Sequence, residues 1–356
     1  MHILYFVTSH GYGHAVRTSA ICNSFDPDVR VTFNTALPAR FFEEEIHIPY
    51  KIREGSFDIG CIQIDGVTVD VQKTLQSYQE IALRNDELLE SEVKWCLENR
   101  VDCIVSDITP FAFDVAHLAG IPSIAISNFT WFDIYSEYIG LYPEYEEMLQ
   151  KMAQQYFRAD LLLALYPAGD MNYFPYRKNM PVVGRRGENR RGELLRKYSI
   201  NPGKHLGLIY TGNFGMEQVQ WQDLERFEDW EFVGVYALPG NPSNYHLVTK
   251  DHLKYQDLSA SVDCIISKMG YGVFSESLLN GIPLVYLPRK QFAEYPVLDS
   301  EIKRLGAGIQ LSTEAFNSLK WEMALDFSTS NFEREPVVNS GARCCAEEIM
   351  EVAKRF

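Results

Sequence analysis

Short apolar runs alternate with longer amphipathic stretches along the whole chain. Residues 74–99 and 144–158 combine charge with apolar positions at helical spacing, whereas the short runs are rich in β-branched and aromatic residues. Strands are therefore predicted in the first half at residues 2–7, 29–35, 50–54, 103–108, 123–128 and 161–166. Such regular alternation favours parallel strands that are joined by crossover helices.

The second half of the chain repeats this pattern. Strands are predicted there at residues 205–211, 231–236, 262–267, 283–287 and 308–311. Three prolines punctuate residues 167–181, as expected of a connecting stretch between two domains. We therefore expect an N-terminal α/β domain over residues 1–175, a second α/β domain over 176–337 and a final helix over 338–356.

The composition of the chain suits two globular domains. With 356 residues and 46% hydrophobic content, the chain can fill about two cores of ordinary size, and it has no run of 18 uncharged apolar residues. Its seven cysteines are odd in number and lack C-x-x-C spacing, which favours free thiols and no structural metal. Because the N-terminus enters a strand directly, we expect a cytoplasmic protein, either free or peripheral to the inner face of the membrane.

The charge balance of the chain is strongly acidic. A formal net charge of −15 argues against a phosphate-backbone partner, so no nucleic acid is expected. The basic cluster at residues 185–191 lies near the expected domain junction. We interpret it as a solvated linker, with a membrane or acceptor patch as the alternative.

Residues 257–289 contain the most informative motif of the second half. A strand leads into Ser267-Lys268-Met269-Gly270-Tyr271-Gly272, and a helical stretch follows that ends at Gly281-Ile282-Pro283. This arrangement predicts a phosphate site, because the first N–H groups of a helix lack intrahelical partners and glycine admits a close approach. Glu276, in the first turns of the helix, is well placed to take both ribose hydroxyls. An ordinary crossover whose glycines serve only the turn is the alternative.

A second glycine turn follows the first predicted strand. Thr8-Ser9-His10-Gly11-Tyr12-Gly13-His14-Ala15-Val16-Arg17 links residues 2–7 to a helix-like stretch, with a histidine where the first helical turn begins. Two such turns, one in each half, favour two α/β domains that face each other across a cleft. An imidazole suits the role of a base near neutral pH, so His14 is the candidate catalytic residue, and a helix-capping histidine is the alternative.

Together these motifs resemble those of glycosyltransferases of the GT-B fold, a metal-independent class with two Rossmann-like domains. Ser267–Arg289 is similar to the nucleotide-sugar site of UDP-glycosyltransferases and of glycosyltransferase family 28. Gly11–Arg17 is similar to the G-x-G-H-x-x-R turn of the N-terminal region of plant arabinokinases and of nucleotide-sugar hydrolases of pseudaminic acid synthesis. The resemblance covers roughly residues 1–325 and implies the GT-B fold, with a final helix that crosses back to the first domain.

The resemblance also implies roles for the first domain. His14 matches the family histidine that takes a proton from the acceptor hydroxyl. Asp107 ends a predicted strand before a Pro-aromatic-Ala stretch, as does the aspartate paired with the catalytic histidine in plant glycosyltransferases. We therefore expect Asp107 to orient His14, although an N-cap of the helix near Pro110 is the alternative. His10 is a second candidate base.

The donor contacts follow from the same resemblance. Residues 206–215 resemble the glycine-rich loop that touches the diphosphate from the opposite side, and Lys268 can neutralise a phosphate charge in place of a metal ion. For Arg17 the alternative is an exposed helix arginine. Gln291 and Glu294 match family positions that hold donor sugar hydroxyls, without the D-Q-x-x-N-A pattern, and an exposed loop is the alternative. The residues expected at the nucleotide and its phosphates are Gly11, Gly13, Arg17, Thr211, Gly212, Asn213, Lys268, Gly270, Tyr271, Gly272 and Glu276.

The expected function is a metal-independent transfer of a sugar, with inversion, from a nucleotide sugar to an acceptor hydroxyl. Uridine is implied by resemblance alone, and no cofactor is expected. Phe129 and Trp131 are candidate walls of the pocket for the acceptor, which would be a small molecule, a glycan or a lipid; plain core packing is their alternative. The alternative functions are a nucleotide-sugar hydrolase, in which His14 acts on water, and a non-catalytic nucleotide-sugar-binding protein.

Overall fold

Two parallel β-sheets form the framework of the computed structural model, which describes residues 1–64, 68–212, 218–330 and 335–355. The strands of the first sheet are β1 (His2–Val7), β2 (Arg30–Thr35), β3 (Tyr50–Glu54), β4 (Cys103–Asp107), β5 (Ser123–Ser127), β6 (Leu161–Leu165) and β7 (Arg177–Met180). Their order across this seven-stranded sheet is β3-β2-β1-β4-β5-β6-β7. Strands β1, β4 and β5 are buried along their whole length, which explains their uninterrupted apolar runs.

The second sheet repeats this architecture with six strands. They are β8 (His205–Tyr210), β9 (Trp230–Gly234), β10 (Tyr245–Leu247), β11 (Cys264–Lys268), β12 (Leu284–Leu287) and β13 (Gly308–Gln310). Their order is β10-β9-β8-β11-β12-β13, and the paired strands are parallel. The predicted class, two Rossmann-like parallel-sheet domains, is confirmed.

Helices connect the strands in both domains. In the first domain they are α1 (Tyr12–Cys22), α2 (Ala39–Glu45), α3 (Val71–Glu98), α4 (Phe111–Ala119), α5 (Trp131–Ser136) and α6 (Glu146–Phe157). In the second they are α7 (Arg191–Lys197), α8 (Tyr255–Ser259), α9 (Tyr271–Asn280), α10 (Glu294–Arg304), α11 (Thr313–Asn317) and α12 (Glu322–Thr329), followed by the terminal helix α13 (Gly341–Arg355). Among the helices described, none is both long enough and apolar enough to span a membrane.

Each sheet reverses its strand order at one point, and both points face the cleft. In the first sheet β1 lies beside β4, with Val7 paired to Asp107. In the second sheet β8 lies beside β11, with Tyr210 paired to Ser267. Ligands of open α/β sheets bind outside the carboxyl ends of the strands at such reversals. The topology therefore brings the two glycine turns, which follow β1 and β11, to the ligand-binding edges.

Two strands lie outside the predicted set. Strand β7 is polar and mostly exposed, and β10 has three residues, so neither has an apolar run that sequence could reveal. The first sheet therefore extends beyond residue 175, the expected domain boundary, because β7 pairs with β6. Helix α13 packs against α1 and β7, and so covers the first sheet rather than the second.

Candidate active site

The N-termini of helices α1 and α9 face each other across the cleft. A Cβ added to Gly272 at the start of α9 would lie 4.0 Å from the Cα of Gly13 at the start of α1. Neither helix has a side-chain cap or an acidic residue in its first turn. Their first N–H groups are therefore available to an anion, and both helix dipoles favour negative charge there.

Glycine keeps this space open. Added Cβ atoms at Gly11, Gly13 and Gly270 would meet no atom within 4 Å, so side chains are absent where the helix starts face the cleft. Gly11 also has a φ of 81°, which disfavours any residue with a Cβ. These glycines lie where the sequence analysis expects contacts to phosphate.

The loop after β8 lies beside this region, next to the end of β11. Gly212 has a φ of 73°, and the hydroxyl of Thr211 is buried without a hydrogen-bond partner among the described residues. An unpartnered buried hydroxyl is costly, so a ligand atom is a natural partner for it. Asn213, also expected here, lies outside the described residues.

Lys268 and Arg289 supply positive charge to the cleft. Burial lowers the pKa of Lys268 to about 8, with a further lowering from the charge of Arg289. The Arg289 guanidinium lies 3.6 Å from the ring centre of Phe292 and 3.9 Å from the Glu294 carboxylate. Arg289 is not among the site residues predicted from sequence, although it lies two residues after β12 within the recognised motif. Among the described residues no cluster of His, Cys, Asp and Glu is arranged to hold a metal ion.

His14 and Asp107 form a buried pair at the first-domain reversal. Nδ1 of His14 lies 2.7 Å from Oδ1 of Asp107, as expected for an oriented base. Nη2 of Arg17 lies 2.9 Å from the same nitrogen. In the tautomer that donates from Nδ1 to Asp107, the lone pair lies on Nε2 and can accept a proton. Burial raises the pKa of Asp107, but the charge of Arg17 and the hydrogen bonds from Arg17 and His14 outweigh burial and lower it to about 2.

Arg17 is not the exposed helix arginine that was the alternative prediction for it. It is only 2% exposed, and it donates from Nε to Asp107 at 2.7 Å and from Nη1 to Asn128 at 2.8 Å. The reason is helical geometry, because Arg17 lies three residues after His14 and so faces the same strand end. Its guanidinium holds Asp107 and Asn128, and its expected contact to a phosphate stays a prediction.

Asn128 carries this network to the second domain. The side-chain N–H of Asn128 donates to Oε1 of Glu294 at 2.9 Å, while the side-chain oxygen Oδ1 accepts from Arg17. Glu294 is therefore buried against the first domain and is not part of an exposed loop. Gln291 is exposed with a φ of 55°, and its carbonyl accepts a hydrogen bond from Tyr138 at 2.6 Å.

Glu276 is buried, and its carboxylate is already engaged. Oε1 accepts from Nη2 of Arg185 at 3.1 Å, and Nη1 of Arg185 donates to Glu45 at 2.9 Å. Burial raises the pKa of Glu276 to about 7, against the lowering effect of Arg185. A ribose that binds Glu276 must therefore share or displace Arg185. The rings of Tyr210 and Tyr255, 4.5 Å apart, lie nearby.

The basic cluster at residues 185–191 is not a uniformly solvated linker. The side chain of Arg185 is 15% exposed and connects Glu45 of α2 with Glu276 of α9, whereas the side chain of Arg190 is 48% exposed. The two partners of Arg185 are 140 and 91 residues distant in sequence, so no local signal marks this contact.

The aromatic residues expected at an acceptor pocket are core residues. Phe129 and Trp131 are both buried, and Trp131 is the first residue of α5. The indole N–H donates to Asp58 at 3.0 Å, and the two rings pack 5.9 and 6.3 Å from the His14 ring. They form a wall behind the candidate base, and Asp58 is a further buried carboxylate that sequence did not reveal.

Burial also changes the expected roles of Tyr271 and His10. The ring of Tyr271 lies between the domains, where its hydroxyl accepts from the Val183 N–H at 3.0 Å and Arg17 lies over its face. We therefore expect Tyr271 to contact a phosphate through its backbone N–H. Burial lowers the pKa of His10 to about 3, helped by the charges of neighbouring basic side chains. His10 is a neutral cleft residue packed 5.3 Å from the Trp131 ring.

The chain resembles known proteins in both sequence and fold. No protein-family model matches the chain. The L-arabinokinase of Arabidopsis thaliana is 30% identical over 336 residues, which cover 92% of this chain but only 32% of that protein. The chain thus spans about a third of the length of the curated relative it matches (32%).

Solved structures match the chain over its whole length. The calicheamicin glycosyltransferase matches with a TM-score of 0.69 and 15% identity, covering 100% of this chain and 98% of that one. A UDP-glucosyltransferase from Polygonum tinctorium capable of glucosylating indoxyl gives 0.69 and 14%, covering 99% and 98%. At these identities the likeness establishes the fold, and the chain has the GT-B fold seen in these glycosyltransferases.

Proposed function

We propose that this protein is a glycosyltransferase that moves a sugar from a nucleotide sugar to an acceptor hydroxyl. The observation that carries the proposal is the position of the oriented His14–Asp107 pair beside two uncapped, glycine-lined helix starts. One side of the cleft offers a base, and the other offers sites for an anionic leaving group. A donor with a diphosphate and an electrophilic sugar carbon fits this combination.

The proposed reaction is a direct displacement. The acceptor oxygen attacks the anomeric carbon while its proton moves to Nε2 of His14, and Asp107 stabilises the imidazolium that forms. The bond between the anomeric carbon and the phosphate oxygen breaks from the opposite face, so the anomeric configuration inverts. The nucleoside diphosphate leaves with an additional negative charge. The start of α9 and the Lys268 ammonium would stabilise that charge.

Two lines of support favour a uridine diphosphate sugar as donor. The structural neighbour from Polygonum tinctorium is a UDP-glucosyltransferase, and the motif that holds Gly270 and Glu276 resembles the site of such enzymes. Tyr210 and Tyr255 add aromatic surface near the expected ribose contact. We assign no activity from the arabinokinase match, because most of that protein has no counterpart in this chain.

Turnover in buffer alone tests the proposal. UDP release from a panel of UDP-sugars would be measured without acceptor and then with a panel of hydroxyl acceptors. Slow release that accelerates with an acceptor is expected of a transferase. Fast release without acceptor would instead identify a nucleotide-sugar hydrolase that uses the same base on water, and donor binding without any release would identify a binding protein.

A further inference from the structure

A buried hydrogen bond joins the two domains inside the cleft. Asn128, which follows β5 of the first domain, donates to Glu294, the first residue of α10 in the second domain, at 2.9 Å. Asn128 and Glu294 are 2% and 5% exposed. Two further contacts hold the same segment against the first domain: Phe129 packs 5.5 Å from Phe292, and Tyr138 donates to the Gln291 carbonyl.

This bond continues without interruption to the candidate base. The side-chain oxygen of Asn128, Oδ1, accepts from Nη1 of Arg17. Arg17 in turn donates to both oxygens of Asp107, at 2.7 and 2.5 Å, and Asp107 accepts from His14. Every member of the chain Glu294–Asn128–Arg17–Asp107–His14 is buried, so solvent cannot substitute for a missing partner.

We propose that Asn128 is a positioning residue that couples docking of the second domain to the orientation of His14. The inference rests on the proposed function, in which His14 is the base. A buried amide has both a donor and an acceptor to satisfy. Glu294 accepts from the Asn128 amide N–H only when residues 291–294 lie against the first domain. This contact keeps Oδ1 of Asn128 directed toward Arg17. The base is therefore fully oriented only in the closed cleft.

The pair allows a test by exchange of donor and acceptor. Asn128→Asp keeps an acceptor for Arg17 but removes the amide donor and places two carboxylates together, so at a pH where both are ionised the bond between the domains is lost. Glu294→Gln alone keeps the bond, because a glutamine carbonyl still accepts from Asn128. The double variant Asn128→Asp/Glu294→Gln restores a bond with its direction reversed, since the glutamine N–H donates to the new carboxylate.

The expected result is a loss in kcat that the second substitution repairs. Misplacement of a catalytic group by about 1 Å costs on the order of 10²-fold, and we expect a loss of about that size in kcat for Asn128→Asp. Donor affinity measured by calorimetry should change little. The double variant should regain most of the rate of Glu294→Gln alone, which serves as the reference because Glu294 is also a candidate donor-sugar contact. Asn128→Asp should cause no further loss in a His14→Ala background. A purely structural effect would be additive there.

Asn244→Asp is the matched control. Asn244 is likewise a buried asparagine. Its side-chain N–H donates to the main-chain carbonyl oxygen of Leu224 at 2.9 Å, and it lies away from the cleft in the second domain. It should lose thermal stability while keeping kcat. An Asn128→Asp variant that keeps wild-type kcat, or a loss that Glu294→Gln fails to repair, would overturn the proposal.

A second readout separates this inference from the proposed function. The ring N–H of His14 should give a proton resonance in the wild type that is missing in His14→Ala. Asn128→Asp should shift or broaden that resonance and the double variant should restore it, whether or not any donor is turned over. An unchanged resonance in Asn128→Asp would refute the coupling, whereas absence of turnover in the wild type would refute only the proposed function.

Discussion

At the scale of single residues, two of the buried carboxyl groups at the cleft have pKa values that are shifted in opposite directions. Asp107 is met by Arg17 and His14, and these contacts lower its pKa to about 2 in spite of burial. Glu276 is met by Arg185, yet burial raises its pKa to about 7. Asp107 is therefore a fixed negative charge at neutral pH, whereas Glu276 changes its protonation state near pH 7.

Donor affinity should depend on pH through Glu276 and Lys268. A ribose hydroxyl donates to the ionised carboxylate, so binding should strengthen as pH rises through about 7. Lys268, whose pKa burial lowers to about 8, should lose its charge above that value and weaken binding again. Calorimetry is expected to show the highest affinity between these two values. A UDP-sugar is the appropriate probe, because the terminal phosphate of free UDP itself titrates near ~6.

Two variants identify which residue causes the rise in donor affinity with pH and which causes the fall. Glu276→Gln should weaken binding and remove the rise at low pH while the fall at high pH remains. Lys268→Arg keeps the positive charge and should remove the fall. An affinity that is independent of pH in the wild type would contradict both residue assignments.

At the scale of elements, the site consists of helix starts whose N–H groups no side chain caps. Gly270 precedes α9 with an extended backbone, and an added Cβ would meet no atom within 4 Å. A Gly270→Ala protein should therefore fold with nearly unchanged stability. The new methyl group would occupy the space in which the phosphate approaches the backbone.

We expect Gly270→Ala to lower donor affinity by at least about tenfold, equivalent to ~1.4 kcal/mol. Calorimetry would measure the affinity, and thermal unfolding would measure stability on the same sample. Gly140→Ala is a suitable control, since Gly140 has equally open surroundings and lies in a loop after α5. Wild-type affinity in Gly270→Ala would place the phosphate elsewhere.

The elements that locate the site could be predicted from sequence, but several of its contacts could not. Strands with continuous apolar runs and the two glycine turns are local signals, and so were predicted. The contacts of Arg17 could not be predicted, because its partners Asp107 and Asn128 are 90 and 111 residues away and are brought together only by the fold of the first sheet. The engagement of Glu276 by Arg185 and the inward turn of Trp131 likewise depend on tertiary contacts.

At the scale of the whole molecule, an acidic protein must attract an anionic donor through local charge. The chain has a formal net charge of −15, while the cleft gathers Lys268, Arg289 and two helix N-termini. If these groups meet the diphosphate charge as proposed, turnover should persist after EDTA treatment. Loss of activity with EDTA that magnesium or manganese restores would show that a metal ion is needed to neutralise the diphosphate.

The orientation of the base also depends on both sides of the cleft. Asp107→Asn should lower kcat by less than removal of His14 itself, because Nε2 remains while the imidazolium loses its stabilising charge. Since Arg17 would then be buried beside a neutral amide, this variant should also lose stability, by roughly 3–5 kcal/mol. Steady-state kinetics and chemical denaturation measure the two effects. Unchanged kinetics together with lost stability would reduce Asp107 to a structural role.

Comparison of donor binding with turnover in one variant tests whether His14 is the base. His14 acts on the acceptor or on water rather than on the nucleotide. His14→Ala should therefore bind the active UDP-sugar with wild-type affinity by calorimetry, while kcat falls by ~10²–10⁴. A His14→Ala protein that turns over the same donor at the wild-type rate would exclude His14 as the base.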